Sequence, residues 1–518
     1  MIKEITIRIP FRFIHDQTFI LEFAAKVLTI NSSSIRHIEI KKRSIDARKK
    51  DILYNLRLDI YIDEDFKENS TYFFPSKISD AKTVVIIGCG PGGMFAALRA
   101  IELGIKPIIY ERGKDVRARR RDLAKIHKEH IINPESNYCF GEGGAGTYSD
   151  GKLYTRSKKR GSTQKVLELF VHFGADKNIL VDAHPHIGTN RLPGIIQAMR
   201  EEIIKLGGEV HFESKLTDLI VENGEVKSIQ INLNKWISCS NVILATGHSA
   251  RDIFKLLFER KIKIEAKPFA LGVRIEHEQK LIDSIQYHGL QSDENLPPAS
   301  YSLVAQIDGM GVYSFCMCPG GIVAPCATDV DEVVTNGWSP SKRNNPFANS
   351  GIVVQIEPHH LMEDFEKNPF VCLDFQQAVE HECWIAAGKT QAVPAQRLID
   401  FIHGKISESL PETSYQPGLK SIDLSTVLPT MVSDRLKKAF LEFGKKMNGF
   451  LTNDAVLHAP ESRTSSPIKI PRNEETLEHI ETKGLYPCGE GAGYAGGIMS
   501  AAIDGMNCIE KINVKIHP

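Results

Sequence analysis

The glycines between Gly88 and Gly93 have the spacing that holds a dinucleotide. They form G-x-G-x-x-G. In this pattern Gly88 allows a tight turn, Gly90 lets a diphosphate approach the backbone, and Gly93 lets a helix pack closely on a strand. A helix that begins there offers unpaired N–H groups and a partial positive charge to phosphates. Glu111 ends the next apolar segment, where a carboxylate can accept hydrogen bonds from ribose hydroxyls. The pattern predicts a dinucleotide site that favours a free ribose 2′-hydroxyl, and by itself it does not separate NAD from FAD.

The elements that would position these glycines are indicated around them. Val84 to Ile87 form a β-branched run, typical of a strand buried on both faces. Met94 to Leu103 have the pattern of a helix that Gly104 ends, and Pro107 to Tyr110 that of a second strand. These residues predict a complete βαβ unit. A glycine-rich turn in an unrelated α/β domain is the alternative.

A second glycine-rich stretch lies near the other end of the chain. CGEGAGYAGGIMSAAIDGM runs from Cys488 to Met506, and such a run indicates backbone that meets a ligand closely. A strand is predicted to end at Gly489-Glu490, with a helix beginning near Gly496-Gly497-Ile498. In the middle of the chain, NVILATGHSARD predicts a strand that ends in Ala245-Thr246-Gly247. A helix packed through small residues is the alternative for the far-end stretch.

The stretch FGEGGAGTYSDGKLYTR, from Phe140 to Arg156, is too glycine-rich for a helix. Its glycines would allow close backbone approach, and Ser149, Asp150 and Lys152 would supply polar contacts. An ordinary surface loop is the alternative interpretation.

Together these stretches resemble the glutathione-reductase-like superfamily of flavoproteins. The resemblance implies that the near-end glycines hold the FAD diphosphate and that Ala245-Thr246-Gly247 closes the strand beneath it. It implies that Gly489-Glu490 binds ribityl oxygens, although the usual acid at that position is Asp. It also implies that the helix after Gly497 points its N-terminus at the flavin ring, where the helix dipole would stabilise the negative charge of a reduced flavin.

A closer resemblance extends over nearly the whole chain. It rests on the Phe140 to Arg156 stretch and on GHSARD (247–252), KPFALGVRIEH (267–277), YSFCMCPGG (313–321), NGWS (336–339), ESRTSSPIKI (461–470) and KRSIDARKK (42–50). These segments are similar to those of a bacterial family of FAD-dependent dehydrogenases, often named simply FAD-dependent proteins. The resemblance implies FAD binding and a redox role, and it implies no particular substrate.

Motif and resemblance together predict the residues that contact FAD. Arg119 belongs to an arginine cluster after Glu111 that would reach a phosphate, and Leu216 follows a predicted strand where superfamily members hold adenine through backbone groups. The predicted FAD contacts are Gly88, Gly90, Pro91, Gly92, Gly93, Glu111, Arg112, Arg119, Gly141, Gly143, Gly144, Gly146, Ser149, Asp150, Gly151, Lys152, Leu216, Thr246, Gly247, Gly489, Glu490, Gly496, Gly497 and Ile498.

The order of the elements predicts an α/β fold of three parts. A small N-terminal α+β domain (1–76), for which a ferredoxin-like fold is one candidate, is joined by the linker FPSKISDAK to a Rossmann-like FAD-binding domain (80–265 and 450–518). An α+β substrate domain (266–449) is inserted into the latter. The N-terminal part contains no cysteine, so it cannot hold a thiolate-ligated iron–sulfur cluster.

No second βαβ unit carries the dinucleotide pattern, so a separate nicotinamide domain is not expected. The architecture is therefore nearer the p-hydroxybenzoate-hydroxylase-like branch of flavoproteins, in which a substrate domain faces the flavin. NADH or NADPH could still bind transiently as electron donor.

Four residues are candidates for catalysis. Flavin N5 would carry out the transfer, so the protein would position the reactants. The candidates are His248, Arg251, Arg274 and Arg463, and the arginines would bind an anionic substrate bidentately. Ordinary ion pairs or capped loops are the alternative for each.

Cys316 and Cys318 form a C-x-C pair. Residues two apart on a strand share one face, so a redox pair or a metal site stands beside simple packing as an interpretation. No spacing typical of zinc ligands is present, and no metal site is predicted.

Composition narrows the class of protein. Lys+Arg and Asp+Glu both number 64, so overall charge gives no attraction to nucleic acid or to a membrane. The ten cysteines are scattered, and the first residues are charged throughout. We therefore expect a reduced cytoplasmic setting and no signal peptide. The longest uncharged run, Gly309 to Thr328, is broken by glycine and proline, so no membrane span is expected.

The sequence favours an FAD-dependent oxidoreductase, a dehydrogenase or reductase that transfers hydride or electrons to or from an unidentified small molecule. A flavin monooxygenase is the alternative among enzymes. A flavoprotein that binds RNA or a protein partner is the alternative from another class. Its contact would be the basic run Lys41, Lys42, Arg43, Arg48, Lys49 and Lys50, docking an electron carrier or other acidic partner, unless the run is only a solvated hairpin face.

Overall fold

The computed structural model describes residues 1–67, 74, 77–78, 82–154, 161–290 and 293–517. Most of the predicted linker FPSKISDAK and the last two residues of the predicted loop, Thr155 and Arg156, lie outside the described residues.

The N-terminal residues form a three-stranded antiparallel sheet with one helix. The strands are β1 (Ile2–Pro10), β2 (Ile35–Asp46) and β3 (Leu53–Ile62), the helix is α1 (Gln17–Leu28), and β3 lies in the middle of the sheet. Every second residue of β3 is buried, as expected of a strand with one face on a core. The order strand, helix, strand, strand is the predicted one. The described residues do not complete a ferredoxin-like fold, which needs a second helix and a fourth strand.

The basic run occupies β2 and the turn after it, whereas the sequence placed it between strands. Residues 41–43 lie inside β2. Arg43 pairs with Asp182 at 2.7 Å, and Arg48 pairs with Asp46 at 2.6 Å. These pairs favour the hairpin-face interpretation, and docking of a partner here stays a prediction.

Three distant parts of the chain form one parallel sheet. In spatial order its strands are β22 (Leu485–Pro487), β10 (Val242–Leu244), β4 (Thr83–Ile87), β5 (Lys106–Tyr110) and β6 (Glu209–His211), and all neighbours are parallel. The helices of this part are α2 (Pro91–Glu102), α3 (Val116–Glu129), α4 (Thr163–His172), α5 (Leu192–Lys205), α6 (Arg251–Glu259) and α11 (Ile498–Ile516). A three-stranded antiparallel sheet, β7 (Leu216–Glu222), β8 (Glu225–Ile231) and β9 (Lys235–Ser238), comes between β6 and β10 in the chain. This is a Rossmann-like arrangement of α/β type.

The inserted part contains a seven-stranded sheet. In spatial order its strands are β13 (Val304–Ile307), β14 (Met310–Cys318), β17 (Phe347–Ile356), β12 (Phe269–Glu278), β20 (Val456–Glu461), β18 (Val393–Arg397) and β19 (Leu419–Ser421). Two short pairs accompany it, β11 (Glu265–Ala266) with β21 (Ile468–Lys469), and β15 (Ile322–Pro325) with β16 (Thr335–Trp338). Its helices are α7 (Gln279–Gln286), α8 (Val371–Ala386), α9 (Leu398–His403) and α10 (Thr430–Lys446).

The chain leaves the parallel-sheet part through β11 and returns through β21, and these two strands pair with each other. Strand β20 lies in the seven-stranded sheet, so residues 456–461 group with the inserted part, beyond the predicted boundary at 450. One apolar core continues from the N-terminal domain into the inserted part, and the Tyr54 hydroxyl donates to the Asn295 carbonyl at 2.8 Å. Among the described residues, no helix is long and apolar enough to cross a bilayer.

The near-end and far-end helices touch backbone to backbone. A Cβ on Gly505 of α11 would overlap the carbonyl oxygen of Gly92 on α2. This contact lets the two helices start close together on the same side of the sheet.

Replacing Gly505 with alanine is expected to lower the free energy of unfolding by about 1–3 kcal/mol, because the added methyl group forces two packed backbones apart. Gly194→Ala is the matched control, since its methyl group would meet no atom within 4 Å. The control should leave stability unchanged or raise it by up to about 1 kcal/mol. Urea unfolding curves of the two variants measure the difference, and equal losses would contradict the proposed contact.

Candidate functional site

The predicted dinucleotide turn has the expected geometry. Gly88 has φ +104°, and a Cβ there would overlap the Ala245 carbonyl oxygen. A Cβ on Gly93 would overlap the Gly88 carbonyl oxygen. Gly90 is the N-cap of α2 and makes no side-chain cap, so the first N–H groups of this helix are open to a ligand. Pro91 occupies the first turn, where its missing N–H costs nothing.

Glu111 ties three backbone segments together. Its carboxylate accepts hydrogen bonds from the N–H groups of Cys89 (2.8 Å), Gly113 (2.9 Å) and Gly141 (3.0 Å). The side chain is 5% exposed. A carboxylate has about four acceptor positions, so room remains for a ribose hydroxyl, and that contact stays a prediction.

A small cavity adjoins this turn. Gly88, Glu111, Arg112, Leu216 and Thr246 line it together, so the structure brings together five of the residues predicted to contact FAD, among them the predicted ribose and adenine contacts Glu111 and Leu216. Further lining residues that were not predicted are Ile87, Tyr110, Ser214, Lys215 and Ile253.

Arg112 already has partners of its own at this cavity. It pairs with Glu135 at 2.7 Å and with Asp252 at 2.9 Å, and its guanidinium lies 4.1 Å from the centre of the Phe140 ring. The arginine therefore forms one wall of the cavity, with its charge balanced by protein carboxylates.

The loop around residues 141–147 lies across both helix N-termini. The Gly143 N–H donates to the Cys89 carbonyl at 2.7 Å. A Cβ on Gly144 would come within 3.1 Å of Gly90 Cα. One on Gly146 would come within 3.0 Å of the Ile498 side chain and 3.4 Å of Pro91. The structure thus brings α2, α11 and this loop together, as the sequence predicts for the middle of the cofactor.

Arg119 shapes this loop. It is fully buried and donates to the carbonyls of Asn137 (2.7 Å), Tyr138 (2.9 Å), Glu142 (2.8 Å) and Gly144 (2.9 Å). These bonds use most of its five N–H donors. The structure therefore assigns Arg119 to positioning the loop, which corrects the prediction that it reaches a phosphate.

The second half of the loop points toward the inserted part. Ser149 donates to the Gly146 carbonyl at 2.8 Å and accepts from the Gly151 N–H at 3.0 Å. Asp150 is 1% exposed and pairs with Arg343 at 2.8 Å. Lys152 donates to the Met317 carbonyl. Asp150 and Lys152 therefore connect the two parts of the protein, and direct contacts of theirs with a cofactor stay predictions.

The far-end stretch lies against the Ala-Thr-Gly strand end. A Cβ on Gly491 would overlap the Gly247 carbonyl oxygen. Gly497 is the N-cap of α11, has φ +141° and makes no side-chain cap. Cβ atoms built on Gly247, Gly496 or Gly497 would meet no described atom within 4 Å. An open space therefore adjoins an uncapped helix N-terminus, and these residues fit the flavin that the resemblance implies.

Two charged residues that the sequence did not single out hold this stretch. Asp504 on α11 accepts from the Gly489 N–H at 2.7 Å and pairs with Arg472 at 2.6 Å. Arg472 also donates to the Pro487 carbonyl at 2.6 Å. Cys488 and Cys508 lie close to Asp504, but the bound guanidinium supplies the positive charge there.

Glu490, in the same far-end stretch, carries a titratable carboxyl group. Burial raises the pKa of its carboxyl to about 7, although the positive charge of nearby Lys267 acts to lower it. Burial in turn lowers the pKa of Lys267.

Arg251 and Arg463 belong to a buried ion-pair network. Arg251 pairs with Glu332 and Glu380, each at 2.5 Å. Arg463 contacts the same two carboxylates and donates to Thr328 at 2.7 Å. Arg274 is fully buried, and both oxygens of Glu461 accept from it at 2.8 Å. These partners favour the ion-pair alternative over substrate binding by the three arginines.

His248 lines a small cavity between the two parts of the protein, together with Ser149, Arg463 and Trp338. Its Nδ1 lies 2.9 Å from the Ser249 hydroxyl. Burial, followed by the charges of Arg463 and Arg251, lowers the pKa of His248 to about 3. The lowered pKa favours the neutral imidazole, and a catalytic role of His248 stays a prediction.

Comparison with known proteins places the chain in a family. Residues 268–464 match the family model described as "FAD-dependent protein, C-terminal domain-like", and residues 1–61 match a domain of unknown function, DUF8436. An uncharacterized protein of Clostridium beijerinckii is 40% identical over 508 residues, which cover 94% of each chain. The chain belongs to the same family as this clostridial protein. The matched region ends at residue 464, beyond β20, in agreement with the sheet to which that strand belongs.

Solved structures also align over most of the chain. A geranylgeranyl bacteriochlorophyll reductase-like protein of Thermoplasma acidophilum is 14% identical, with 84% of this chain and 80% of that chain covered and a TM-score of 0.33. CtdE in complex with FAD is 9% identical, with 84% of each chain covered and a TM-score of 0.32. Glycine oxidase from Bacillus cereus is 12% identical, with 84% and 95% covered and a TM-score of 0.29. Such TM-scores are too low to support an argument, so the fold is assigned from the sheet order described above.

Arg463→Met is expected to lower the free energy of unfolding by about 3–5 kcal/mol, because it leaves the buried carboxylates of Glu332 and Glu380 with a single arginine. Arg260→Met is the matched control. Arg260 also pairs with a carboxylate, Asp218, but its side chain is 49% exposed, so its loss should cost less than about 1 kcal/mol. Chemical denaturation compares the two, and a small loss in Arg463→Met would show that the network contributes little.

The raised pKa of Glu490 predicts a pH-dependent loss of stability. The ordinary glutamate pKa is 4.5. As pH rises from there to about 7, the unfolded chain releases this proton before the folded protein does, so stability falls across that window. Glu490→Gln should remove about 2–3 kcal/mol of that fall.

The control for this experiment is Glu209→Gln. In the wild-type folded protein a hydrogen bond from Lys106 lowers the pKa of the Glu209 carboxyl. That variant should change the pH dependence in the opposite direction. Unfolding of the cofactor-free protein between about pH 2 and 8 measures both, because the effect of Glu209 falls below pH 4.5 and that of Glu490 above it. Identical pH profiles for wild type and Glu490→Gln would show that Glu490 ionises normally.

Proposed function

We propose that this protein is an FAD-dependent oxidoreductase of the glutathione-reductase-like superfamily, acting on a small molecule bound between its parallel-sheet and inserted parts. The observation that carries the proposal is the position of Gly146 between Pro91 and Ile498. Two uncapped helix N-termini, from opposite ends of the chain, meet at this one loop. In a flavin dinucleotide the negative diphosphate and the electron-accepting ring lie at two separate positions. A helix N-terminus can stabilise negative charge at each of them.

The enzyme class, an FAD-dependent oxidoreductase, is supported by the match of residues 268–464 to a family of FAD-dependent proteins. The cavity beside Glu111 and Leu216 would take the adenosine, and the N-terminus of α2 the diphosphate. The open space at Gly247, Gly496 and Gly497 would take the ring. When bound, FAD supplies hydride or electron transfer at flavin N5.

The residues of the chain bind, orient and hold protons around that space. The N–H groups at the start of α11 favour negative charge beside Gly497. Glu490 carries or releases a proton near neutral pH at its carboxyl oxygen, since burial raises its pKa to about 7. Neutral His248 would offer its Nε2 to a molecule between the two parts, because its Nδ1 lies against the Ser249 hydroxyl.

We propose NADH or NADPH as the electron donor. The nucleotide would bind transiently, because no separate nicotinamide domain is expected. Anaerobic titration of the yellow holoprotein with each nucleotide should bleach the flavin absorbance with one of them. Absence of bleaching with both would remove nicotinamide nucleotides from the proposal.

Gly90→Ala tests FAD binding without disturbing the fold. The new methyl group has its nearest protein atom, Gly144 Cα, at 3.8 Å, and it would occupy the path of the diphosphate. We expect unchanged thermal stability of the cofactor-free protein and at least about ten-fold weaker FAD binding, equivalent to about 1.4 kcal/mol. Gly194→Ala serves as control. Flavin absorbance and fluorescence titration give the result, and full FAD occupancy in Gly90→Ala would overturn the assigned site.

A further inference from the structure

Cys316 and Cys318 occupy an irregular position in the inserted sheet. They end β14, and the pairing of β14 with β17 shifts register between Phe315 and Cys318. Cys316 has φ +44°, in the left-handed region that side chains other than glycine rarely adopt. Such backbone strain is retained where the surrounding structure imposes it, commonly at functional sites.

Positive charge and hydrogen-bond donors surround Cys316. The Lys152 Nζ lies 3.9 Å from its sulfur. The Cys318 thiol donates to the Cys316 carbonyl at 3.2 Å, and its one proton can turn instead to the adjacent Cys316 sulfur. Arg274 approaches the same carbonyl at 3.4 Å. The acidic groups that act on Cys316 or are affected by it are Asp150, Glu461 and Glu490.

These contacts make the two thiols unequal. The hydrogen bond from Cys318, then the charges of Lys152 and Arg274, hold the pKa of Cys316 well below its usual range, against the opposing effect of burial. The same hydrogen bond and burial raise the pKa of Cys318. These contacts favour the thiolate at Cys316 and the protonated thiol at Cys318. Thiolate is the reactive form of cysteine.

Access to the pair is one-sided. Cys316 is half-buried, whereas Cys318 is fully buried. The side chain of Lys152 is 33% exposed. A small reagent that arrives beside Lys152 would meet the Cys316 sulfur first.

We propose that Cys316 and Cys318 form a thiol–disulfide redox couple that reduces a small disulfide, with Cys316 as nucleophile and Cys318 as resolving thiol. In the first step the Cys316 thiolate attacks one sulfur of the disulfide; a new S–S bond forms and the other half leaves as a thiolate. In the second step Cys318 gives its proton to the thiolate released in the first step and attacks the Cys316 sulfur; the intramolecular disulfide forms and the remaining half leaves as a thiolate. The two protein thiols are oxidised and the one substrate disulfide is reduced to two thiols, so electrons balance.

Simple packing does not account for the arrangement. Cys372 and Cys383 show what packed cysteines look like in this protein, since both are fully buried and burial raises the pKa of each. A packed thiol needs neither a lysine beside its sulfur nor a strained backbone.

The test is reaction of the purified protein with 2,2′-dithiodipyridine, followed by intact and peptide mass spectrometry. In wild type we expect rapid release of two thiopyridone molecules from the pair and a Cys316–Cys318 disulfide with no retained adduct. At pH 6, modification of Cys316 should be at least about ten-fold faster than that of Cys239, a half-buried cysteine whose pKa is raised to about 11 by burial.

Variants assign the roles within the pair. Cys318→Ser should release one thiopyridone and retain the pyridylthio adduct on Cys316. Cys316→Ser should abolish the fast phase. Lys152→Met should move the pH midpoint of the fast phase upward, and Lys152→Arg should restore most of it. Cys239→Ser is the control and should leave the fast phase intact.

A stable adduct on Cys316 in wild type, or equal rates for Cys316 and Cys239, would overturn the proposal. The wild-type measurement alone decides this if a variant fails to fold. None of these readouts uses flavin absorbance, so the inference can fail while the FAD assignment stands, and the reverse also holds.

Discussion

The meeting of two helix N-termini depends on a backbone contact between α2 and α11. Gly92 and Gly505 allow this contact because neither brings a side chain between the helices. With the helices so close, Pro91 and Ile498 reach the same loop, and the N–H groups that each helix leaves unpaired face one region of space. The proposed dinucleotide is too long to be bound by one helix end. Two helix ends held at a fixed separation would bind it at two positions. The parallel pairing of β22 with β10 and of β10 with β4 fixes their direction.

Buried ion pairs and apolar packing both hold the inserted part against the parallel-sheet part. Arg251 on α6 pairs with Glu332 and Glu380 across the boundary. Arg463, between β20 and β21, contacts the same two carboxylates from within the inserted part. Asp150 and Arg343 form a second link. Buried ion pairs contribute less to stability than their number implies, since each charge must give up water. They are directional, however, so they define one position of the inserted sheet relative to the loop at residues 141–152.

The dinucleotide turn and the strands on either side of it could be predicted from sequence because their signals are local. Gly88, Gly90 and Gly93 act within a few residues, and the far-end stretch repeats the same local chemistry around Gly497. The partners of the arginines could not be predicted in this way. Arg119 faces loop carbonyls, and Arg463 meets carboxylates more than eighty residues away in the chain; no spacing specifies which distant groups are brought together. The same reason applies to the boundary predicted at residue 450. Residues 456–461 pair with the distant strands β12 and β18, and no local pattern specifies those partners.

The pairing of β11 with β21 has a consequence for how such a protein is built. The outgoing and returning crossings of the chain lie side by side as an antiparallel ladder, Glu265 opposite Lys469 and Ala266 opposite Ile468. The roughly two hundred residues between β11 and β21 therefore connect two neighbouring antiparallel strands, as a hairpin turn does. The distance between the attachment points is independent of what lies beyond them. A change in the size or content of this module would therefore leave both attachment points, and the parallel sheet beside them, in place.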